Sequence, residues 1–416
     1  MPEQALTPVD YQPTDTLHLW WLSHPAAPVP VGTLCTVRAL KGVSLRYTAH
    51  WLARGFALSE DLPLIDQEFL PTEKETAAGA VDDARPDRWG ERVIRMLDKP
   101  PRLSLMEYLF YAGDERFGAL GVSLSASAYV PRRLGPLPGF ADVPAIEALV
   151  RRVLDGSPVP PEQRRLIAPG ATMGGARPKA LVSMQGAQWV LKFAEPGEPV
   201  DTPLVEHATM TLARLAGIRV AATQPIRLHA GHAVAVKRFD REAGTRKHAL
   251  SARVALKAAG ENLGYPELAQ LLRRRGTTQA QCNLLHMQEL FKRMVFNILI
   301  DNTDDHEKNH VLLVTDAGGY ELSPAFDVLP SGQALGYQQM RVGSAMADSS
   351  LDNALSESSR FGLARPQAEQ AVRQVVAVVN GWQQHFASAG VRPADIESLA
   401  AQIDRPYLRD QRQAWC

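Results

Sequence analysis

The densest concentration of chemically capable side chains is Thr303-Asp304-Asp305-His306-Glu307-Lys308-Asn309-His310, directly after the apolar, helically spaced run LLHMQELFKRMVFNILI. A bland reading makes these residues the cap of a buried helix and a solvated loop. Two chemistries compete with it. His306, Glu307 and His310 match H-E-x-x-H, in which two histidines one helical turn apart bind zinc while the glutamate activates water. That chemistry needs a helix. Here the segment runs straight into VLLV and a Gly-Gly turn, so His310 is expected to open a strand instead. The alternative is phosphoryl transfer, for which protein kinases place a catalytic Asp five residues before a metal-binding Asn and bring a second metal Asp from a following hairpin. Asp304 and Asn309 have that spacing, and Asp305 is one residue short of it. If Asp316 and Gly319 flank a two-residue turn, Asn309 lies opposite Phe326 and beside Asp327. An amide oxygen and a carboxylate meeting there suit Mg²⁺ carrying substrate phosphates. Lys308 is placed to contact the transferred group.

A nucleotide site also needs groups for phosphates and base. Gly170 to Lys179, GATMGGARPK, is Gly-rich before a strand, so its backbone N–H groups are candidates for an anion cradle with Lys179 beside it. It is no Walker A loop, and a plain surface loop is the competing reading. Lys192 interrupts the apolar strand WVLKF. A lysine there either faces solvent or holds phosphate oxygens, and Glu206 in the next helix is the carboxylate to orient it. A plain helix first-turn acid is the equal alternative for Glu206. AVAVKRFDR ends a strand where a hinge would lie: Val236 to Phe239 offer backbone groups to adenine, and Asp240 reaches a ribose or supports the hinge, although Phe239 taken singly reads better as plain core.

The elements that must position these residues follow from periodicity. Between Leu17 and Pro71 short apolar runs broken by Pro and Gly predict a small, mainly β unit, and Arg85 to Tyr111 predicts two helices separated at Pro100-Pro101. Residues 131–144 read as a linker, with a boundary near 135. ALVSM, Gln185-Gly186 and QWVLKF form a hairpin with a short turn, and 204–216 a helix stopping at Gly217. From 250 onward helices dominate, interrupted by a hairpin at 310–322. The 416 residues suffice for two or three packed units. Forty-five basic and forty-five acidic side chains cancel, so nothing global draws the chain to nucleic acid or an anionic bilayer. MPEQALTPVD lacks the pattern of an export signal, no stretch is apolar enough for a membrane span, and Cys35, Cys282 and Cys416 lack metal-ligand spacing. The expectation is a cytoplasmic protein.

These residues resemble the HipA toxin kinases. RPDRWGER at 85–92, GDERFGAL at 113–120, MGGARPKA at 173–180, VLKF at 190–193, VKRFDR at 236–241, NTDDHEKNH at 302–310 and LSPAFDVLPS at 322–331 run in family order over most of the chain. The resemblance implies an α+β, two-lobed protein-kinase-like fold with an extra N-terminal β/α subdomain and a mainly helical C-terminal lobe. It divides the chain into 1–135, the N-terminal subdomain; 136–240, the N-lobe; and 241–416, the C-lobe. It implies ATP and Mg²⁺ as cofactors and serine or threonine as acceptor. The phosphate loop is Gly174, Gly175, Ala176, Arg177, Pro178 and Lys179; the ATP lysine is Lys192; the hinge is Lys237, Arg238 and Phe239, followed by Asp240. Asp304 is the base, and Asn309 and Asp327 are the metal ligands, with Phe326 adjoining. His306 falls in the nucleotide-contacting loop, which removes the need for zinc. Arg177 and Pro178 depart from the Gln and Glu of the best-known pattern, a change that bears on loop mobility, and Pro178 has no backbone N–H to donate. Family members can autophosphorylate a serine before the loop glycines, and Thr172 stands at that place. A HipB-like helix-turn-helix antitoxin is the implied partner, giving contact with DNA only indirectly, and an aminoacyl-tRNA synthetase such as glutamyl-tRNA synthetase is the implied substrate, with growth arrest or persistence as the consequence. The alternative from another class is a catalytically silent kinase-shaped binding protein that serves as antitoxin or regulatory partner.

Overall fold

The structure, a computed structural model, describes residues 11–132, 135–170 and 175–415. The chain forms two compact units, Met1–Lys192 with Asp240–Leu250, and Phe193–Phe239 with Ser251–Cys416. In the first, β1 (Thr16–Trp21), β2 (Val29–Val37) and β3 (Gly42–Tyr47) are followed by α1 (Ala49–Arg54) and β4 (Glu68–Phe69). Then come α2 (Arg88–Leu97), α3 (Leu105–Tyr111) and β5 (Leu120–Ser123). The strands make an antiparallel sheet of order β4-β3-β2-β1-β5. Alternation dictates its buried face: Leu17 and Leu19 are fully buried, and removing each such side chain from water contributes roughly 1.5–3 kcal/mol. Helices α2 and α3 lie on either side of Pro100-Pro101 as expected, and α3 starts at a Ser104–Glu107 capping box.

The linker gives way to helix earlier than expected, because α4 (Val143–Leu154) starts with a proline in its first turn. Strands β6 (Lys179–Met184) and β7 (Ala187–Phe193) pair with Lys179 opposite Lys192. Their connection works because Gln185 and Gly186 both take positive φ, 54° and 70°, the twist a two-residue hairpin requires. The return of residues 240–250 completes this unit: the His248 ring packs 5.3 Å from Trp21 and its Nε2 donates to the Leu58 carbonyl, 3.0 Å away.

The second unit contains α5 (Thr202–Leu215) and the antiparallel pair β8 (Thr223–Arg227) and β9 (His232–Lys237). Helices α6 (Ala252–Ala258), α7 (Tyr265–Arg275) and α8 (Cys282–Leu299) follow. Helix α8 is the spine, with Leu290, Phe291, Met294, Val295 and Ile298 fully buried. It delivers the chain to a hairpin of Val311–Val314 and Tyr320–Leu322, and the remainder is helical. The hairpin register is one residue away from expectation: Leu312 pairs with Leu322 and Val314 with Tyr320. The reason lies in its turn. Gly318, at φ 76°, closes a three-residue loop between Thr315 and Gly319, whereas a two-residue turn would have required positive φ at Ala317. The content is α+β, as expected, and no helix among the described residues is long and apolar enough to cross a membrane.

Candidate functional site

The tip of α8 turns through Asp301 and Asn302 into the segment that carries Asp304. Asp301 itself is fully buried at φ 59°, a left-handed conformation that Asp tolerates better than most residues. Its carbonyl accepts from the Ser331 amide at 3.0 Å and the Ser331 hydroxyl at 3.1 Å, and the Thr303 and Ser331 hydroxyls lie 2.6 Å apart. Arg405 reaches the Asp301 carboxylate at 2.9 Å. Thus the loop after α8 is sewn to the loop that follows Asp327.

The two neighbouring carboxylates are sharply distinguished. Asp304 is exposed, while Asp305 is 2% exposed. The Asp305 Oδ2 accepts from Tyr265 Oη, from Asn297 Nδ2 at 2.9 Å and from His310 Nε2 at 2.8 Å. Burial pushes its pKa up, but His310 and these hydrogen bonds outweigh burial and hold it below the ordinary carboxylate range. Asp305 therefore anchors the loop from beneath, which fixes the residue on its solvent side. Among the residues bracketing it, Lys308 is exposed and His306 half-exposed, with the His306 carbonyl accepting from the Asn309 amide at 2.9 Å.

Asn309 and Phe326 line one small cleft with Asn297, Arg293 and His310. Asp327, the next residue, takes φ 58°. A non-glycine residue in that region is uncommon and often marks a position where orientation matters more than local ease. Although the ladder is slipped by one residue, Asn309 and Phe326 share that cleft: the chain leaves regular pairing after Leu322 and Ala325 is instead held by Ala221 and Arg219 backbone groups at 2.9 and 2.8 Å. Phe239 is half-buried with its ring 5.5 Å from that of Phe326. Lys237 is exposed and Arg238 buried beside it.

In the first unit Lys192 and Lys179 are each 1% exposed and face each other across β6 and β7. Burial removes the solvent-facing alternative for Lys192. Lys179 Nζ donates to Asp87 Oδ2 at 2.5 Å and to the Gly175 carbonyl at 2.6 Å, so this lysine closes the base of the Gly-rich segment. Gly175 has φ 60° with open space where a Cβ would stand; it is required by conformation, not by crowding. Ala176 is exposed, Arg177 half-buried and Pro178 buried. Gly174 and Thr172 lie outside the described residues. Asp240 is fully buried and accepts from the Gly118 amide at 2.9 Å and from Arg241 at 2.7 Å. Glu206 is 1% exposed in the first half of α5.

The zinc alternative fails on geometry. Residues 306–310 are not helical; Glu307 is bound by Arg253 at 2.6 Å and His310 by Asp305. Among the described residues no three His, Cys, Asp or Glu side chains converge to hold a metal. An Asn–Asp pair of hard oxygens supporting a largely hydrated cation would be a different donor set, to which that count of His, Cys, Asp and Glu does not speak. The contributions of Tyr265, Asn297, Thr303 and Ser331 escaped the sequence reading. No local pattern signals them, since each acts on a segment distant in the chain.

A family model described as "HipA-like C-terminal domain" matches residues 171–382, and one described as "HipA N-terminal domain" matches residues 26–123. Among solved structures, the HipA of the toxin–antitoxin system of Shewanella oneidensis, determined with HipB and operator DNA, is similar over 96% of each chain with a TM-score of 0.64 and 18% identity. That is a likeness of fold. A curated relative from Sinorhizobium fredii, named "Putative kinase Y4dM", is 29% identical over 164 residues, 35% of this chain and 37% of the relative. The chain thus matches little more than a third of that relative's length.

Proposed function

Because the chain belongs to the HipA family, we propose that it is an ATP- and Mg²⁺-dependent protein serine/threonine kinase of the toxin type, transferring a γ-phosphoryl group to a protein hydroxyl. The observation that carries this reading is the division of labour at the tip of α8: Asp304, five residues before Asn309, stands exposed while Asp305 is bound from below, and Asn309 shares a cleft with Phe326, the residue before Asp327. Bound Mg·ATP would supply the phosphoryl group and the neutralising cation charge. Asp304 receives the proton of the acceptor hydroxyl. Asn309 and Asp327 are the residues that would hold the cation, Gly174 to Lys179 offer backbone donors, and Lys192 adds positive charge in a dry setting where it counts for more than in water. Lys308 steadies the group in flight, His306 and the hinge of Lys237, Arg238 and Phe239 border the nucleotide, and Asp240 supports that hinge.

In this reading residues 1–135, 136–240 and 241–416 are the N-terminal subdomain, N-lobe and C-lobe. The fold likeness to a HipA assembled with HipB and operator DNA supports a HipB-like antitoxin as partner, with DNA reached only through it. An aminoacyl-tRNA synthetase is the proposed class of acceptor, arrested translation the consequence, the cytoplasm the place, and Thr172 the site of self-modification. The test is transfer from γ-labelled ATP by the purified chain to itself and to candidate synthetases. Wild type is expected to label protein and Asp304→Asn to lose at least about a thousandfold of that rate; equal labelling by the two would remove Asp304 as the base.

A further inference from the structure

Two of the family-like stretches, RPDRWGER and GDERFGAL, have no part in the phosphoryl-transfer scheme, yet both meet the feet of the Gly-rich segment. Asp87 is the N-cap of α2. Its Oδ1 accepts from the Gly90 amide at 2.9 Å, and its Oδ2 accepts from Lys179 at the downstream foot. Two residues on, the buried Trp89 indole N–H donates to the Lys179 carbonyl at 2.8 Å. The upstream foot is gripped as closely. A Cβ on Gly90 would stand 2.1 Å from the Pro169 carbonyl oxygen, and one on Gly170 would stand 2.5 Å from the Ala112 carbonyl oxygen and 3.1 Å from the Arg116 Cα. Arg116 fixes that wall: 1% exposed, it donates to the carbonyls of Ala84, Leu109 and Gly113 at 2.8–2.9 Å.

We propose that the first turn of α2 is a brace for the Gly-rich segment, with Asp87 its positioning residue, so that the N-terminal part of the chain sets nucleotide affinity. One carboxylate fastens two things at once, the start of α2 and the lysine that closes the segment. The Lys179 side chain is fully buried and Asp87 is 14% exposed, so loss of the carboxylate charge takes this countercharge from an ammonium shielded from water. The foot at residues 175–179 then loosens, and its backbone must be ordered when the ligand arrives.

The inference rests on the kinase reading only where ATP is the readout, and the experiment separates the two. Amide hydrogen exchange over residues 170–179 is measured in the full chain without nucleotide for wild type, Asp87→Asn, Asp87→Glu and Trp89→Phe. Asp87→Asn keeps an oxygen for the Gly90 cap while removing the charge. Exchange over 170–179 is expected to quicken about tenfold or more in Asp87→Asn, to quicken less in Trp89→Phe, and to return toward wild type in Asp87→Glu, with exchange in α1 and α3 unchanged. On the same samples KM for ATP rises about tenfold in Asp87→Asn with a smaller change in kcat. Unchanged exchange in both Asp87→Asn and Trp89→Phe overturns the brace. So does acceleration spread evenly through the first unit, and so does tighter ATP binding by Asp87→Asn, which would make Asp87 a mere competitor of phosphate for Lys179. A wild type that binds no ATP refutes the kinase reading and leaves the exchange result to decide the brace.

Discussion

At the scale of single residues, adjacent carboxylates are predicted to fail in different ways. Asp304 is exposed and touches the chemistry of the proposed reaction, so Asp304→Asn is expected to leave the thermal midpoint within about 2 °C of wild type, because substitutions away from buried networks usually change stability little. Asp305 is buried under Tyr265, Asn297 and His310. Asp305→Asn keeps its shape but removes the charge that answers His310, and is expected to cost about 3 kcal/mol of stability, read as a lowered urea midpoint. Equal midpoints for the two variants would contradict the anchoring role. Asp327 makes a third contrast because its φ is 58°. Asn tolerates that conformation, so Asp327→Asn is expected to keep the fold and raise the Mg²⁺ requirement about tenfold or more. Asp327→Val puts a β-branched residue there and is expected to lose a further 1–2 kcal/mol or so of stability.

At the scale of elements, the first sheet is closed by an aromatic group around Trp21, Trp51, Phe56 and His248. Burial pushes the His248 pKa down to about 4, against a hydrogen bond to the Leu58 carbonyl that acts the other way. A histidine depressed in the folded state contributes stability that is fully present above its unfolded pKa near 6.5 and is lost as pH falls toward 4, because the unfolded chain takes up the proton first. The loss attributable to His248 is expected to approach roughly 3 kcal/mol at the acid end. His286 in α8 is also pushed down to about 4, chiefly by burial, and His18, His207 and His385 are lowered too, so the wild-type slope has several sources. The difference between wild type and His248→Gln in urea midpoints at pH 7.5 and pH 5 isolates one of them, and a wild-type slope unchanged by the substitution would contradict it. How far these elements could be read from the sequence depended on where their determinants lie. The β6–β7 hairpin was legible to the residue pair because Gln185-Gly186 specifies its own turn. The 311–322 hairpin slipped by one because Gly318 and Gly319 permit two ways of closing, and the sequence does not rank them. Spacing alone singles out Asp304 over Asp305 as the proposed base, but the burial of Asp305 depends on Tyr265, forty residues away, and the grip of Trp89 on Lys179 spans ninety. Such long-range contacts leave no local period to detect.

At the scale of the whole molecule, the first unit is assembled from two stretches separated by part of the second, so its integrity depends on a short return segment. Residues 240–250 bring Asp240 to the Gly118 amide, Arg241 to the carbonyls of Gly118 and Arg116 at 2.9 and 2.6 Å, and Arg246 to the Asp114 carbonyl at 2.7 Å. They also bring His248 into the aromatic group. Asp114 is 8% exposed and pairs with Arg246 through its carboxylate at 3.2 Å, so removal of the segment strips a countercharge from a buried acid as well as several hydrogen bonds. Each buried polar group so deprived costs about 1–3 kcal/mol, and the sum is comparable to the entire stability of an ordinary domain. A chain cut after Lys192 is therefore expected to show no cooperative urea transition, although it contains the whole five-stranded sheet. Joining residues 238–251 to it through a flexible Gly/Ser linker of about 15 residues is expected to restore the transition, and Asp240→Ala within that added segment to weaken it again. A cooperative transition of the same midpoint with and without the added segment would mean that the sheet stands by its own apolar core, and that the polar lattice around Asp114, Arg116 and Asp240 serves the site rather than the fold.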